Sequence, residues 1–175
     1  MHTDHVTRVL QQWRVERPDL DASPIGIVGR LSRLALLIRH DLVTVYDSYG
    51  LSEGEFDILA TIRRQGAPFE CSHGTLIRET MVTKSAVSKR LAALAARGLV
   101  ARAAAQHDGR SQVVQLTPAG RRLLDRAFEE HLENERRLLS VLSASDRDAL
   151  QRILATWMAS YEDGVATGDD EPRQL

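Results

Sequence analysis

Cysteine, proline and aromatic residues are scarce in this sequence of 175 residues, which holds one, five and eight of them respectively. A lone Cys71 excludes an intrachain disulfide framework and an all-cysteine metal site within one chain. No apolar run approaches the roughly 20 residues that a membrane span requires. The first twenty residues carry Asp4, Glu16 and Asp19 and lack a signal-like apolar core, so a cytoplasmic protein without membrane contact is expected. Catalytic constellations are missing as well. There is no Gly-rich phosphate loop, nucleophile elbow or HExxH motif, and neither His2 with His5 nor His40-Asp41 makes a catalytic set. The expectation is a non-enzyme with no cofactor. With 43% hydrophobic and 27% charged residues, the chain is an ordinary globular protein, one domain or two small lobes sharing a core.

Net charge is nearly absent too, at -1, but this hides a segregation. Residues 72 to 122 hold nine basic side chains against two acidic ones, a net of +7, whereas residues 1 to 71 carry -2 and residues 123 to 175 carry -6. A basic middle between acidic flanks predicts a local polyanion-binding face, because attraction to phosphate depends on where the charge sits rather than on its sum.

The flanks read as helices. Val6 to Trp13 is a short amphipathic stretch closed by Pro18. Ser23-Pro24 predicts a helix start with the serine as cap, and Leu31, Leu34, Ile38, Leu42 and Val45 predict one buried stripe along a helix reaching Tyr49. Ser52 and Glu55 form a capping-box pair before Phe56, Leu59 and Ile62, and Gly66-Ala67-Pro68 stops that helix. Thr117-Pro118 opens another long helix, and Ser145 with Asp148 opens the last, ending near Gly164. Apolar surface on the terminal helices exceeds what one small domain covers, which predicts a homodimer.

The basic middle predicts helix, turn, helix, hairpin. Ser72 to Glu79 is a short helix, Thr80-Met81-Val82 a turn, and Thr83 the cap of a second helix that ends at Gly98. Leu99 to Arg102 and Gln112 to Leu116 are extended, with the turn signal Asp108-Gly109 between them. On the second helix Val87, Leu91 and Leu94 share the buried stripe, while Ser85, Lys89, Ala92 and Ala96, with Ser88 beside them, form a small polar face suited to a major groove. The fold class expected is therefore mainly α with a small β-wing, a winged helix-turn-helix dimerised through its N- and C-terminal helices. Candidate DNA contacts are Thr83, Lys84, Ser85, Ser88 and Lys89, with Arg110 at the wing tip placed for minor-groove insertion or a phosphate contact. A winged fold used as a protein-interaction module is the alternative. Arg90 flanks the buried stripe and either snorkels to water or pairs with an acid, and Asp57 is ambiguous in the same way. Cys71, near a helix start, is either packed or an oxidant-sensing thiol of lowered pKa.

Ser85-Ala86-Val87-Ser88-Lys89-Arg90-Leu91, Arg97-Gly98-Leu99-Val100, Asp108-Gly109-Arg110 and Leu116-Thr117-Pro118-Ala119-Gly120 together resemble the MarR family of winged-helix transcriptional regulators over about residues 23 to 160. The resemblance implies a dimer on a pseudo-palindromic operator, released by a small anionic ligand. It divides the chain into N-terminal helices over 1–50, a DNA-binding lobe over 51–116, C-terminal dimerisation helices over 117–164 and a disordered tail over 165–175. The N-terminal helix, the run Trp13 to Asp21 and Glu55 to Ala60 are similar to the urate-responsive subgroup of HucR and PecS type. That likeness implies that Trp13, Asp57, Arg90 and Arg102 form a pocket for an anionic aromatic or purine ligand. Trp13 would be its apolar wall, Arg102 would hold the anion, and Asp57 would couple the pocket to Arg90 and the recognition helix.

Overall fold

The computed structural model describes residues 3–80, 83–104 and 112–166. Its elements run α1 (His5–Glu16), α2 (Ile25–Ser48), α3 (Glu53–Arg64), β1 (Glu70–Ser72), α4 (His73–Glu79), α5 (Lys84–Ala96), β2 (Val100–Ala104), β3 (Gln112–Leu116), α6 (Pro118–Leu139) and α7 (Ala144–Ala166). Two compact units result, Met1–Asn134 and Glu135–Leu175. No helix among the described residues is long and apolar enough to cross a membrane.

Local chemistry sets most of the boundaries. Glu55 supplies the acidic half of the capping box: its Oε2 accepts from the Ser52 N–H at 2.8 Å and from the Ser52 hydroxyl at 2.9 Å. Ser72 caps α4 by accepting the Thr75 N–H at 3.0 Å. Helix α5 ends in a Schellman motif. Gly98 has φ +67, its N–H donates to the Ala95 carbonyl, and Leu99 N–H donates back to Leu94. Thr117 caps α6, its hydroxyl oxygen accepting the Gly120 N–H at 3.0 Å while the hydroxyl donates to the Gly98 carbonyl at 2.7 Å. This docks the start of α6 on the Gly98-Leu99 backbone so closely that a Cβ at Gly120 would overlap the Leu99 carbonyl oxygen and stand 2.9 Å from its carbon.

Several expectations are corrected. Ser23 does not cap α2; its hydroxyl donates to Asp21 two residues back, at 2.9 Å, and Pro24 heads the helix. The cap of α7 is Ser143, not Ser145: it accepts the Asp146 N–H at 3.1 Å, so the earlier of two overlapping Ser-x-x-Asp matches prevails. Thr83 precedes α5 with extended backbone but makes no side-chain cap bond. The predicted α2 stripe is covered only at its end: Leu31, Leu34 and Ile38 are exposed, whereas Leu42 and Val45 are partly buried against the core beside the enclosed Tyr46. At 24 residues α2 is about 36 Å long, twice the span of α3, so only its last turns meet the core of the same chain.

The wing belongs to a three-stranded sheet rather than a two-stranded one. Its order is β1-β3-β2, all antiparallel, with Cys71 opposite Val114 and Arg102 opposite Val114 from the other side. Three residues carry no readable alternation, so β1 exists because β3 offers its second edge. The core beneath joins Ile58, Leu59 and Ile62 of α3, Leu76 of α4, Val87 and Leu94 of α5, Val100, Leu116 and Leu124. In the second unit α7 leaves Leu150, Ile153, Leu154, Met158 and Tyr161 exposed at helical spacing.

Helix α1 is held to α2 by the buried Val6, which lies beside Gly29, and by an acid at its cap. Asp4 caps α1 through the Thr7 N–H at 2.7 Å, and the Arg30 guanidinium grips its carboxylate at 2.8 and 3.2 Å. The arginine bond, then the Thr7 N–H, hold the Asp4 pKa well below the usual carboxylate range. A lowered carboxylate pKa contributes stability above the ordinary range and loses it as pH falls through the lowered value. The attachment is therefore expected to survive mild acid. In a Trp157→Phe background, Trp13 fluorescence should stay constant well below pH 4, whereas Asp4→Ala should shift the signal only modestly at pH 7, as an exposed ion pair contributes little. A Trp13 signal that changes in the Asp4-containing Trp157→Phe protein as soon as ordinary carboxylates titrate would contradict this attachment.

Candidate nucleic-acid interface

Helix α5 presents two faces. Val87, Leu91 and Leu94 are buried in the core, and Lys84, Ser85, Ser88, Lys89, Ala92 and Ala96 are exposed, as the residue pattern predicts. The exposed face carries only short or cationic side chains, so backbone and hydroxyls can approach a groove without apolar clash. Thr83 and Ser85 stand together before it, with their hydroxyl oxygens 3.5 Å apart. Arg110 and the Asp108-Gly109 turn lie outside the described residues, as do Met81, Val82 and the tail beyond residue 166.

Sequence reasoning missed His73. It opens α4, and its Nε2 lies 3.4 Å from the Ser88 hydroxyl, linking the first helix of the motif to the second. The only sequence signal was its place directly after the Ser72 cap. His73 and Ser88 also line a cavity of about 260 Å³ between α5 and the wing strands. Leu91, Val100, Val113 and Val114 give it an apolar floor, and Arg102 supplies a cation.

Of the four residues grouped by resemblance, only Arg102 lines this cavity. Arg90 lies on the other flank of α5, packed over Gly54 in the first turn of α3. Asp57 is half-buried one turn further along α3, and Trp13 is 47% exposed on α1. For Cys71 the packed reading holds over the oxidant-sensing alternative. The residue is buried inside β1, and burial pushes its thiol up to about 11, the opposite of the lowered pKa an oxidant sensor needs. No cluster of three metal-ligating side chains occurs among the described residues.

A helix-turn-helix with an exposed cationic face, followed by wing strands, defines a winged-helix DNA-binding protein. Residues 49–111 match the MarR family. The chain is 44% identical over 149 residues to the HTH-type transcriptional regulator PecS of Dickeya dadantii (strain 3937), covering 85% of this chain and 90% of that one. It also resembles the transcriptional repressor CouR bound to a 23-mer DNA duplex, at 26% identity and TM-score 0.66, covering 79% of this chain and 98% of the other. The fold recurs in BpsR of Bordetella bronchiseptica, whose DNA binding is regulated by 6-hydroxynicotinic acid, at 22% identity, TM-score 0.59, and 74% and 98% coverage. This chain belongs to the MarR family. It is a transcriptional regulator of the PecS and HucR type, and its relatives are regulators rather than enzymes.

Proposed function

We propose that this chain is a homodimeric repressor that holds a pseudo-palindromic operator and releases it when a small planar anion, urate or an aromatic carboxylate, binds beside the recognition helix. The observation that carries the reading is Arg102. An exposed cation over an apolar cavity suits a planar anion, and the same cavity is walled by Ser88 of the groove-facing helix. A ligand there competes directly with DNA for α5. Operator contacts come from Thr83, Lys84, Ser85, Ser88 and Lys89, with Arg110 on the wing, and the DNA-bound repressor CouR supports this use of the fold. Dimerisation draws on the exposed apolar stripes of α2 and of α7, and the division into helices 1–50, lobe 51–116 and helices 117–164 follows those roles.

Trp13, Asp57 and Arg90 enter through likeness to PecS. In that arm an anion near Asp57 meets like charge, and the disturbance reaches α5 through Arg90. By linkage, a ligand that lowers operator affinity tenfold binds the DNA complex tenfold less well, about 1.4 kcal/mol. The test titrates preformed protein-operator complex with urate and with 4-hydroxybenzoate. Arg102→Ala is expected to keep operator binding and to raise the ligand concentration for half-release about tenfold or more, by the same coupling. Trp13→Phe separates the two arms: an equal shift puts the ligand against α1, and no shift confines it to the wing cavity. Release by the Arg102 variant at wild-type ligand concentrations sinks both.

A further inference from the structure

Two other helices bring three arginines to the first turn of α3. Glu53 accepts from Arg39 of α2 at 2.9 and 2.7 Å. Glu55 caps its own helix with Oε2 and keeps Oε1 3.5 Å from Arg97 Nη1 at the C-cap of α5. Gly54 between them is buried, and Arg90 of α5 crosses it. A Cβ at this position would lie 2.5 Å from Arg90 Nε, 2.7 Å from Cζ and 3.0 Å from Cδ, closer than side chains tolerate.

Helix stability does not explain the arrangement. Glycine is the poorest helix former after proline, and the start of a helix carries the positive end of its dipole, which disfavours a cation. The neighbouring glutamates offset that charge, and the missing side chain makes the room. We propose that Gly54 is a positioning residue for the recognition helix: lacking a side chain, it seats Arg90 on the first turn of α3 and so fixes how α5 meets DNA, while Glu53 ties the same turn to α2. The inference rests on the DNA-binding reading of α5 and not on the identity of the ligand.

The colliding atoms belong to a flexible side chain, so Gly54→Ala displaces the guanidinium and leaves the backbone in place. We expect Gly54→Ala to retain or raise the melting temperature, to weaken operator binding about tenfold, a coupling of about 1.4 kcal/mol, and to leave the salt slope unchanged, because no phosphate contact is lost. Arg90→Ala should do the same, and the double variant should lose no more than either single one, since both break one contact. Amide hydrogen exchange across α5, measured without DNA, should rise alike in all three. Wild-type exchange and wild-type operator affinity in Gly54→Ala overturn the proposal, as do additive losses. Should Gly54→Ala fail to fold, the double variant, freed of the clash, is compared with Arg90→Ala: equal affinity and exchange uphold the proposal, and a further tenfold loss overturns it. Loss of operator binding by the wild type would strike the DNA reading, and the exchange measurement would still judge Gly54.

Discussion

Gly120→Ala is expected to lower the melting temperature by about 6 to 12 °C, from an overpacking cost of about 3 kcal/mol at about 2 to 4 °C per kcal/mol. The added methyl meets the Leu99 carbonyl oxygen, and this backbone is held on every side. Leu99 N–H bonds to Leu94, and its carbonyl accepts from Thr117 N–H at 3.1 Å. Neither α6 nor the end of α5 can yield without losing caps. The contrast with Gly54 is physical: one glycine faces an arginine side chain that can swing away, the other faces a peptide group that cannot. Thermal or urea unfolding checks this, and an unshifted midpoint would mean that α6 slides along Leu99 at little cost.

Ser88→Asp should weaken operator binding at least about a hundredfold while leaving thermal stability near wild type, since placing like charges face to face in an interface costs several kcal/mol. Ser88 is exposed on the groove side of α5 between Ser85 and Ala92, so a carboxylate costs the isolated protein little there. In the proposed operator complex it would face phosphates. The same carboxylate lines the Arg102 cavity, so whatever operator complex remains should also respond less to an anionic ligand. Fluorescence anisotropy with labelled operator measures both effects. Affinity within a few-fold of wild type would remove Ser88 from the interface.

Much of this was legible in the sequence because it is local. A capping glutamate three residues from its serine, an apolar stripe at positions 87, 91 and 94, and a glycine ending α5 are settled within one or two turns, and the fold keeps all three. Contacts between distant segments were not legible. β1 needs β3, forty residues on; Cys71 is buried by that pairing, and Ser88 meets His73 across a turn. Arg90 shows the limit most plainly. Its wheel position announced a charge beside the core, but the residue it packs on, Gly54, has no side chain to announce anything. The early part of the α2 stripe, Leu31 to Ile38, stays exposed for the converse reason: periodicity reveals an apolar face, not whether the rest of the chain covers it.

One residue, Thr117, separates the end of β3 from the start of α6, and its hydroxyl and N–H are tied to the carbonyls of Gly98 and Leu99 just ahead of β2. Helix and wing strands are thus geared to one axle. A tilt of α6 about this point would load the Gly98-Leu99 backbone and, through it, the start of β2. The joint at Thr117 is a shared support: the same two residues that close α5 also hold the start of α6 and lead into β2.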